Sequence, residues 1–275
     1  MSSRLALLDP IASLIDRVYE PDRPESIWAL EASLKRIVAE GIPTAVLNHE
    51  LSQIAANPAY DGNWPLNRVV LYRNKGATLA IRLLDERAAY IRTVPFYGVF
   101  APLGTRALRY DLYRLPSTYN NQVFDPVLRL EPQGIGETLP GETLKVHPSG
   151  AIPDFRFEGT QLVLQLSTAP TEYLQWLFNR DSLLAWQAND SSMNFSQLRV
   201  AAYVLGKFAH QTSLEPLSEL TKHEHHSIRW TAIQGLGRIS RSAALGKLQA
   251  AVQDPHPHVR RAATKTLQQL QAKSR

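Results

Sequence analysis

The 275-residue sequence contains no cysteine, and this absence excludes disulfide bonds, thiolate metal sites and a cysteine nucleophile. The sequence also lacks an uninterrupted apolar run of about eighteen residues, the length that a membrane-spanning helix needs. Residues 1–12 include Asp9 and Pro10 and lack the apolar core of a signal peptide. These absences predict a soluble, cytoplasmic protein without a membrane segment.

Signatures of nucleophilic and phosphate-binding sites are missing as well. The sequence has no Gly-x-Ser-x-Gly elbow, no His-Glu-x-x-His pair and no glycine-rich phosphate loop. Gly134-Ile135-Gly136 is followed by Glu-Thr-Leu-Pro rather than by a helical segment, so we interpret it as a turn. We therefore predict no catalytic residue, no cofactor and no resident metal. This favours a non-catalytic role and leaves an enzymatic one open.

Charge is distributed unevenly along the chain. In all, 30 Lys and Arg residues and 25 Asp and Glu residues give a formal charge of +5. Residues 196–275 hold 12 of the bases and 4 of the acids, or +8, which leaves 18 and 21, or −3, for residues 1–195. A basic segment attracts acidic proteins, nucleic acids or anionic lipids, although a solvated basic face needs no partner. No recognition-helix motif accompanies it, which argues against sequence-specific nucleic-acid binding.

Helical signals fill residues 9–56. Asp9 can cap a helix whose first turn takes Pro10. A second amphipathic helix is predicted at residues 27–38 and a third at residues 45–56. Such amphipathic helices need another apolar surface on which to pack.

After Gly62 and Pro65 the pattern changes to short apolar segments separated by turn residues. The number and spacing of these segments favour a β-sandwich or small barrel. Strands are predicted at residues 67–73, 78–84, 89–93, 96–101, 107–115, 124–130, 143–147 and 161–166. The apolar residues of the following segment, 171–188, predict a helix.

One pattern recurs three times after residue 196. Arg199, Arg229 and Arg260 lie 30 and 31 residues apart, and each precedes an alanine and then a leucine at helical spacing. Partner helices are predicted between them, at residues 214–221 and 243–252. The pattern resembles the HEAT-like repeat family first named from phycobilisome lyases, which implies a solenoid of about two and a half helical hairpins. We expect each repeated arginine to bind carbonyls or an acidic side chain of the neighbouring turn.

Such HEAT arrays display a concave face to other macromolecules. The resemblance thus implies docking of an acidic protein, with a bilin-handling role as an alternative. The expected partner-binding residues are Lys207, Trp230, Arg238, Lys247, Arg261 and Lys265. The turns between repeats hold His223, His225, His226, His256 and His258. Their spacing could bind Zn²⁺ or Ni²⁺, but we interpret them as parts of solvated turns.

The middle of the chain resembles the cupin branch that contains the thiol dioxygenases. Arg68–Arg73 resembles the strand that opens that barrel, and Pro140–Glu142 resembles the turn that opens its second motif. A catalytic cupin binds iron through a His-x-His pair and one later histidine. The pair would fall at Arg92–Val94 and the later histidine near Pro153, where this sequence has none. The resemblance therefore implies a degenerate, metal-free barrel.

Charged and aromatic residues on the predicted strands could still line the mouth of this barrel and bind an anion. Because side chains alternate along a strand, at least half of them are expected to point outward. The candidates are Arg82, Arg92, Tyr97, Arg109, Tyr113 and His147.

The sequence thus predicts an α+β multidomain protein, an RmlC-like cupin β-barrel with N-terminal helices followed by an α-solenoid of HEAT-type hairpins. The predicted parts are N-terminal helices at 1–65, a barrel at 66–170, a helical connector at 171–195 and repeats at 196–275. The predicted function is a non-catalytic scaffold or adaptor, with homodimerisation through the barrel as a further expectation. The alternatives are an enzyme related to the thiol dioxygenases and a bilin-lyase-like protein.

Overall fold

The computed structural model describes residues 2–57, 59–60, 68–85, 87–156 and 159–272. The chain divides into two compact units. The first unit comprises residues 1–119 and 125–189, and the second, here called the helical unit, comprises residues 120–124 and 190–275. The turn predicted at residues 62–65 and the first residue of the strand predicted at 67–73 lie outside the described residues. No described helix is long and apolar enough to span a membrane.

In the described residues before the strands, the chain forms three α-helices and a short 3₁₀ helix. They are α1 (Ser2–Val18), the 3₁₀ helix (Pro24–Leu30), α2 (Glu31–Ala39) and α3 (Ile42–Ala56). Helix α1 starts before the predicted cap, so Asp9 and Pro10 lie inside it rather than at its first turn. Leu8 is buried in the same core as Ile11 and Ile15. This shared packing stabilises the helix on both sides of Pro10.

Eleven strands form three separate sheets in the part of the chain that the structure describes, rather than the predicted closed barrel. The sheet orders are β1-β2-β9-β4-β7, β6-β5-β8 and β11-β10-β3. The strands are β1 (Arg68–Asn74), β2 (Ala77–Leu84), β3 (Tyr90–Arg92), β4 (Gly98–Leu103), β5 (Leu108–Arg114), β6 (Glu131–Thr138), β7 (Leu144–Val146), β8 (Ile152–Arg156), β9 (Gln161–Ser167), β10 (Leu174–Asn179) and β11 (Ala185–Asp190).

The five-stranded sheet has an apolar core on each face. Leu79 and Ile81 of β2 pack with the N-terminal helices, whereas Leu84 of the same strand packs with Phe100 and with residues of β5. Since side chains two apart share a face of a strand, Arg82 lies on the face of Leu84. The sequence of β2 therefore places one arginine on the face that packs against β5.

The helix predicted at residues 171–188, and with it the helical connector, is wrong. These residues form strands β10 and β11. The Asn179 side chain accepts hydrogen bonds from the backbone N–H groups of Asp181 and Ser182, and Leu183 has a φ of 59°. This turn reverses the chain, because an asparagine side chain can replace the backbone acceptor of a turn.

Two further differences concern the predicted strand and turn between β5 and β7. Residues 124–130 form no strand, whereas residues 131–138 form β6, which contains the presumed Gly134–Gly136 turn. Strand β6 is at the edge of its sheet, where a proline such as Pro132 is tolerated. A Cβ atom at Gly136 would lie 2.1 Å from a ring carbon of Tyr110, so only glycine leaves room for that ring. The sequence also gave no indication of β8.

Among its described residues the helical unit contains five α-helices. They are α4 (Met193–Phe208), α5 (Leu214–Leu220), α6 (His226–Ile239), α7 (Arg241–Ala250) and α8 (Pro257–Ala272). The alanines of the recurring pattern, Ala202, Ala232 and Ala263, are fully buried. Helices α4 and α6 touch backbone to backbone, because a Cβ atom at Gly206 would lie 2.5 Å from the Cα atom of Gly235.

Replacing Gly206 with alanine is expected to destabilise the helical unit by about 1–3 kcal/mol, since the new methyl group overpacks a backbone contact. Gly246 of α7 is the matched control, because a Cβ atom there meets no atom within 4 Å. Gly246→Ala is expected to stabilise by about 0.5–1 kcal/mol through helix propensity alone. Hydrogen exchange of the α4 and α6 amides measures both. Effects of the same sign would contradict the close packing.

Candidate functional site

The repeated arginines hold the turns between the repeats together. Arg229 donates to both carboxylate oxygens of Asp254 at 2.8 and 2.6 Å, and also to the carbonyls of His223 and Glu224. Arg260 donates to the carbonyl of Asp254 at 2.7 Å. Arg199 pairs with Asp190 at 3.0 Å. The predicted structural role of these arginines is confirmed.

Other basic side chains of the helical unit are not used in this way. Lys207 and Arg238 lie over the Tyr203 ring, 5.5 and 5.2 Å from its centroid. Neither of these two side chains forms an ion pair with an acidic residue among the described residues, and Arg241 forms none either. The same holds for Lys247, Arg261 and Lys265. Five of these six residues are the basic residues predicted for the partner-binding face.

An apolar groove opens between α6, α7 and α8. Its volume is about 340 Å³. Arg238 and Arg241 contribute the two guanidinium groups of its lining. The apolar lining comes chiefly from Trp230, Ile233, Leu245, Leu248 and Leu270. The groove can accept an apolar side chain and place an adjacent carboxylate near a guanidinium group.

Helix α4 also presents apolar side chains to solvent. Val200 is 57% exposed and Phe208 is 75% exposed, and both lie on the outer side of the helix with Val204. In the other repeats the arginine-bearing helix is preceded by a partner helix, α5 or α7. Strands β10 and β11 precede α4 instead, so the first arginine-bearing helix has no such partner before it in the chain.

The histidines of the repeat turns differ in burial, so the interpretation of all five as parts of solvated turns is wrong for two of them and holds for His258, which is exposed. His225 and His256 are buried. The rings of His226 and His256 stack in parallel, with their centroids 3.6 Å apart and an interplanar angle of 2°. Burial and the neighbouring histidines, foremost His256, lower the pKa of His226 to about 3. This pKa keeps the stacked ring neutral at physiological pH.

Ring nitrogens of His226, His256 and His258 lie within 4.8 Å of one another, a spacing that could bind a metal ion. However, Nε2 of His256 donates to the carbonyl of Gln122 at 2.7 Å. Its Nδ1 accepts from the backbone N–H of His258 at 3.3 Å. Both nitrogens of His256 are therefore engaged, and a metal ion would have to break one of these bonds. The arrangement serves as a structural stack.

The residues predicted for a pocket in the first unit are distributed over four places. Arg82 and Arg92 line one cavity of about 180 Å³. Tyr97 packs against His147, with ring centroids 6.1 Å apart, and both contact the ring of Trp28. Arg82 and Arg92 thus share a cavity, whereas Tyr97 and His147 belong to an aromatic cluster elsewhere in the unit.

The other two predicted residues lie near ion pairs. Arg109 donates to Glu137 at 2.9 Å across β5 and β6. Burial, and then the charges of Asp111 and Asp154, raises the pKa of Tyr113. Neither residue lines the cavity of Arg82 and Arg92.

Sequence reasoning missed a group of charged residues in the first unit. Asp111 of β5 lies opposite Asp154 of β8, and arginines bridge the two carboxylates. Arg87 donates to Asp111 at 2.7 Å and to Asp154 at 3.1 Å, and Arg180 pairs with Asp154. The hydrogen bond from Arg156 is the main cause of the lowered pKa of Asp111. Two carboxylates that face each other across a pair of strands require such cations to offset their repulsion. The group was missed because the sequence analysis did not predict strand β8, which contains Asp154.

Comparisons with known proteins locate one family signature. Residues 183–268 match the family described as HEAT repeats. This match confirms the prediction of HEAT repeats, and their phycobilisome-lyase type stays a prediction. No curated protein matches the chain.

Solved structures match the chain at low identity. A hydroquinone 1,2-dioxygenase crystallised with Cd²⁺ and 4-hydroxybenzonitrile is 16% identical, with a TM-score of 0.30, over 40% of this chain and 68% of that one. The Sphingomonas sp. TTNP3 hydroquinone 1,2-dioxygenase with 4-hydroxybenzoate bound is 13% identical, with a TM-score of 0.30, over 40% and 69%. A Neisseria meningitidis protein is 11% identical, with a TM-score of 0.25, over 42% and 94%. Likeness at this level assigns no activity to the chain.

Proposed function

We propose that the protein is an interaction scaffold whose helical unit docks an acidic segment of a partner protein. The groove between α6, α7 and α8 carries this proposal, because it combines an apolar lining with two guanidinium groups. Neither Arg238 nor Arg241 is neutralised by an acid among the described residues. The positive charge of the groove is therefore uncompensated, and an acidic segment of a partner would neutralise it.

Each component of the groove has a separate energetic role in docking. An apolar side chain of the partner that fills the groove loses its contact with water. Such burial provides most of the binding free energy of an interface. The surrounding cations steer an acidic segment and select against a basic one. The binding segment is thus one in which acidic residues flank one or two large apolar side chains.

The finer parts of the proposal follow the sequence resemblance. We assign the repeats to the phycobilisome-lyase type and the first unit to a degenerate, metal-free cupin that supports the repeats or dimerises, in the cytoplasm. A dioxygenase-like activity is the less favoured alternative, because no histidine lies among the described residues that line the cavity of Arg82 and Arg92. A bilin-handling role has no specific structural feature in its favour.

Charge reversal in the groove tests the proposal. The probes are two fluorescent peptides with identical leucines, one with glutamates and one with lysines between them, measured by fluorescence anisotropy on the intact chain. We expect the glutamate peptide alone to bind. The double variant Arg238→Glu/Arg241→Glu is expected to bind it at least about tenfold more weakly, a loss of about 1.4 kcal/mol or more.

The matched control is Arg17→Glu/Arg36→Glu, which makes the same change in net charge at two exposed positions of α1 and α2. It is expected to retain affinity. Leu245→Glu alters the apolar lining at a residue that is 39% exposed, so it tests the groove with little risk to folding. Equal binding of both peptides, or equal losses in the two double variants, would refute docking in the groove.

A further inference from the structure

The cavity of Arg82 and Arg92 lies wholly within the first unit and has mixed chemistry. Its apolar lining includes Leu84, Phe96, Phe100 and Phe155. The lining also includes the segment from Arg92 to Val94, where the sequence resemblance would have required histidine ligands. Two guanidinium groups therefore share this cavity with three phenylalanine rings.

The charge of Arg82 has no counter-charge in the described part of the chain. In the pairing of β1 with β2, Arg82 lies directly opposite Arg68, so the nearest cross-strand neighbour is also a cation. Burial, followed by the charges of Arg68 and Arg92, lowers the pKa of the Arg82 guanidinium. A desolvated cation among other cations is unfavourable unless an anion joins it.

The one carboxylate among the described lining residues does not fill this role. Asp154 is bound by Arg87, whose Nε lies 3.1 Å from it, and by Arg180, whose Nη2 lies 3.2 Å from it. Neither Arg82 nor Arg92 forms an ion pair with it. Its charge is thus already compensated, and the cavity retains the positive charge of Arg82 and Arg92.

The size and lining of the cavity narrow the chemistry of the anion. A guanidinium group binds carboxylate or phosphate through two parallel hydrogen bonds. Phenylalanine side chains favour a ligand with a hydrocarbon body over a fully hydrated phosphate ion. A volume of 180 Å³ is below the range of about 300–1,000 Å³ typical of drug-sized ligands. We propose that the first unit binds a small organic carboxylate, with its carboxylate on Arg82 and Arg92 and its apolar body against the phenylalanines.

Calorimetric titration of the intact chain with three probes tests this inference. The probes are benzoate, its neutral analogue benzamide and inorganic phosphate. Benzoate is expected to bind at one site per chain, and the other two at least about tenfold more weakly, because neither combines a negative charge with an apolar body. Arg82→Met is expected to weaken benzoate binding by about 10- to 100-fold.

The same variant has a second readout. Because it removes a half-buried cation next to Arg68 and Arg92, Arg82→Met is expected to raise the melting temperature of the ligand-free chain. Arg73→Met is the matched control, since Arg73 is an exposed arginine of the adjacent strand β1, and it should preserve both affinity and stability. If Arg82→Met does not fold, Arg92→Met at an exposed position decides the question by its loss of affinity.

Several results would overturn the inference. They are no benzoate binding, equal affinity for benzamide, tighter binding of phosphate, or full affinity in both Arg82→Met and Arg92→Met. The inference does not rest on the groove between α6, α7 and α8. Arg238→Glu/Arg241→Glu is therefore expected to bind benzoate normally, so a failure of one proposal is distinguishable from a failure of the other.

Discussion

Replacing Asp254 with alanine is expected to destabilise the helical unit by about 3–5 kcal/mol, because Arg229 then remains buried without a counter-charge. The two side chains are only 8% and 11% exposed, so water cannot solvate the orphaned guanidinium group. Arg229 also holds the carbonyls of His223 and Glu224. Its displacement would therefore loosen the turn between α5 and α6. Hydrogen exchange of the α6 amides in the intact chain measures this change.

A comparison with an exposed ion pair isolates the effect of burial. Glu219 and Lys222 form a pair whose side chains are 67% and 65% exposed. Glu219→Ala is expected to cost less than about 1 kcal/mol. The double variant Arg229→Met/Asp254→Leu should regain part of the loss, because it removes both buried charges together. Equal stability of Asp254→Ala and Glu219→Ala would contradict the buried-pair account.

Acidification from pH 6.5 to about 4 is expected to destabilise the helical unit by roughly 1.4 kcal/mol per pH unit through His226, which the fold keeps neutral. The pKa of His226 is lowered from 6.5 to about 3, and burial lowers that of His256 as well. In this window the unfolded chain binds protons that the folded chain does not. The contribution is therefore complete above pH 6.5 and is lost as the pH falls. Burial opposes ionisation of Asp254, but the hydrogen bonds from Arg229 and from the backbone of His256 lower the pKa of its carboxyl group overall.

The pH dependence is measured by hydrogen exchange of α6 and α8 at several pH values, corrected for intrinsic exchange. His226→Phe keeps an aromatic ring in the stack but cannot titrate, so its stability should fall less steeply. His210→Gln changes an exposed histidine of the same unit and should leave the slope unchanged. A wild-type slope near zero would refute the neutral stack. A rise in stability with Zn²⁺ that His258→Ala abolishes would show that the histidines bind metal instead.

The repeats were predictable because local signals and tertiary packing agree in them. Each copy places arginine, alanine and leucine at helical spacing, and the buried Ala202 and Ala232 show that this spacing reflects helix contacts. The contact of Gly206 with Gly235 was not predictable, since the repeat pattern aligns Gly206 with Gly237. Which of two nearby glycines forms the contact depends on the rotation of one helix against the other.

The strands of the first unit were less predictable, because packing rather than periodicity decides them. In β10, Trp176, Leu177 and Phe178 are all buried, so the alternation that marks a half-exposed strand is missing. Strand β6 has the opposite difficulty, since most of its residues are exposed and it contains proline and two glycines. The pairing of Asp111 with Asp154 depends on strand register, which the sequence did not specify.

The pocket residues show the same limit. Arg82 could be identified as a candidate from its strand, but its partnership with Arg92 depends on how β2 and β3 come together in the fold. Tyr97 and His147 were grouped with them by residue type, and the structure places them in an aromatic cluster with Trp28 instead. The residue types thus identified the candidates, whereas the three-dimensional packing decides which of them lie together.

The short segment 120–124 affects the design of any fragment that is meant to contain one unit alone. It lies between β5 and β6 in the sequence but belongs to the helical unit, so the polypeptide passes from one unit to the other three times. A fragment that starts at residue 190 would lack the Gln122 carbonyl that accepts the hydrogen bond of His256. A cut at that boundary therefore yields an incomplete fragment. A circular permutant or a covalent graft of the missing pentapeptide is the better starting point for isolating the repeats.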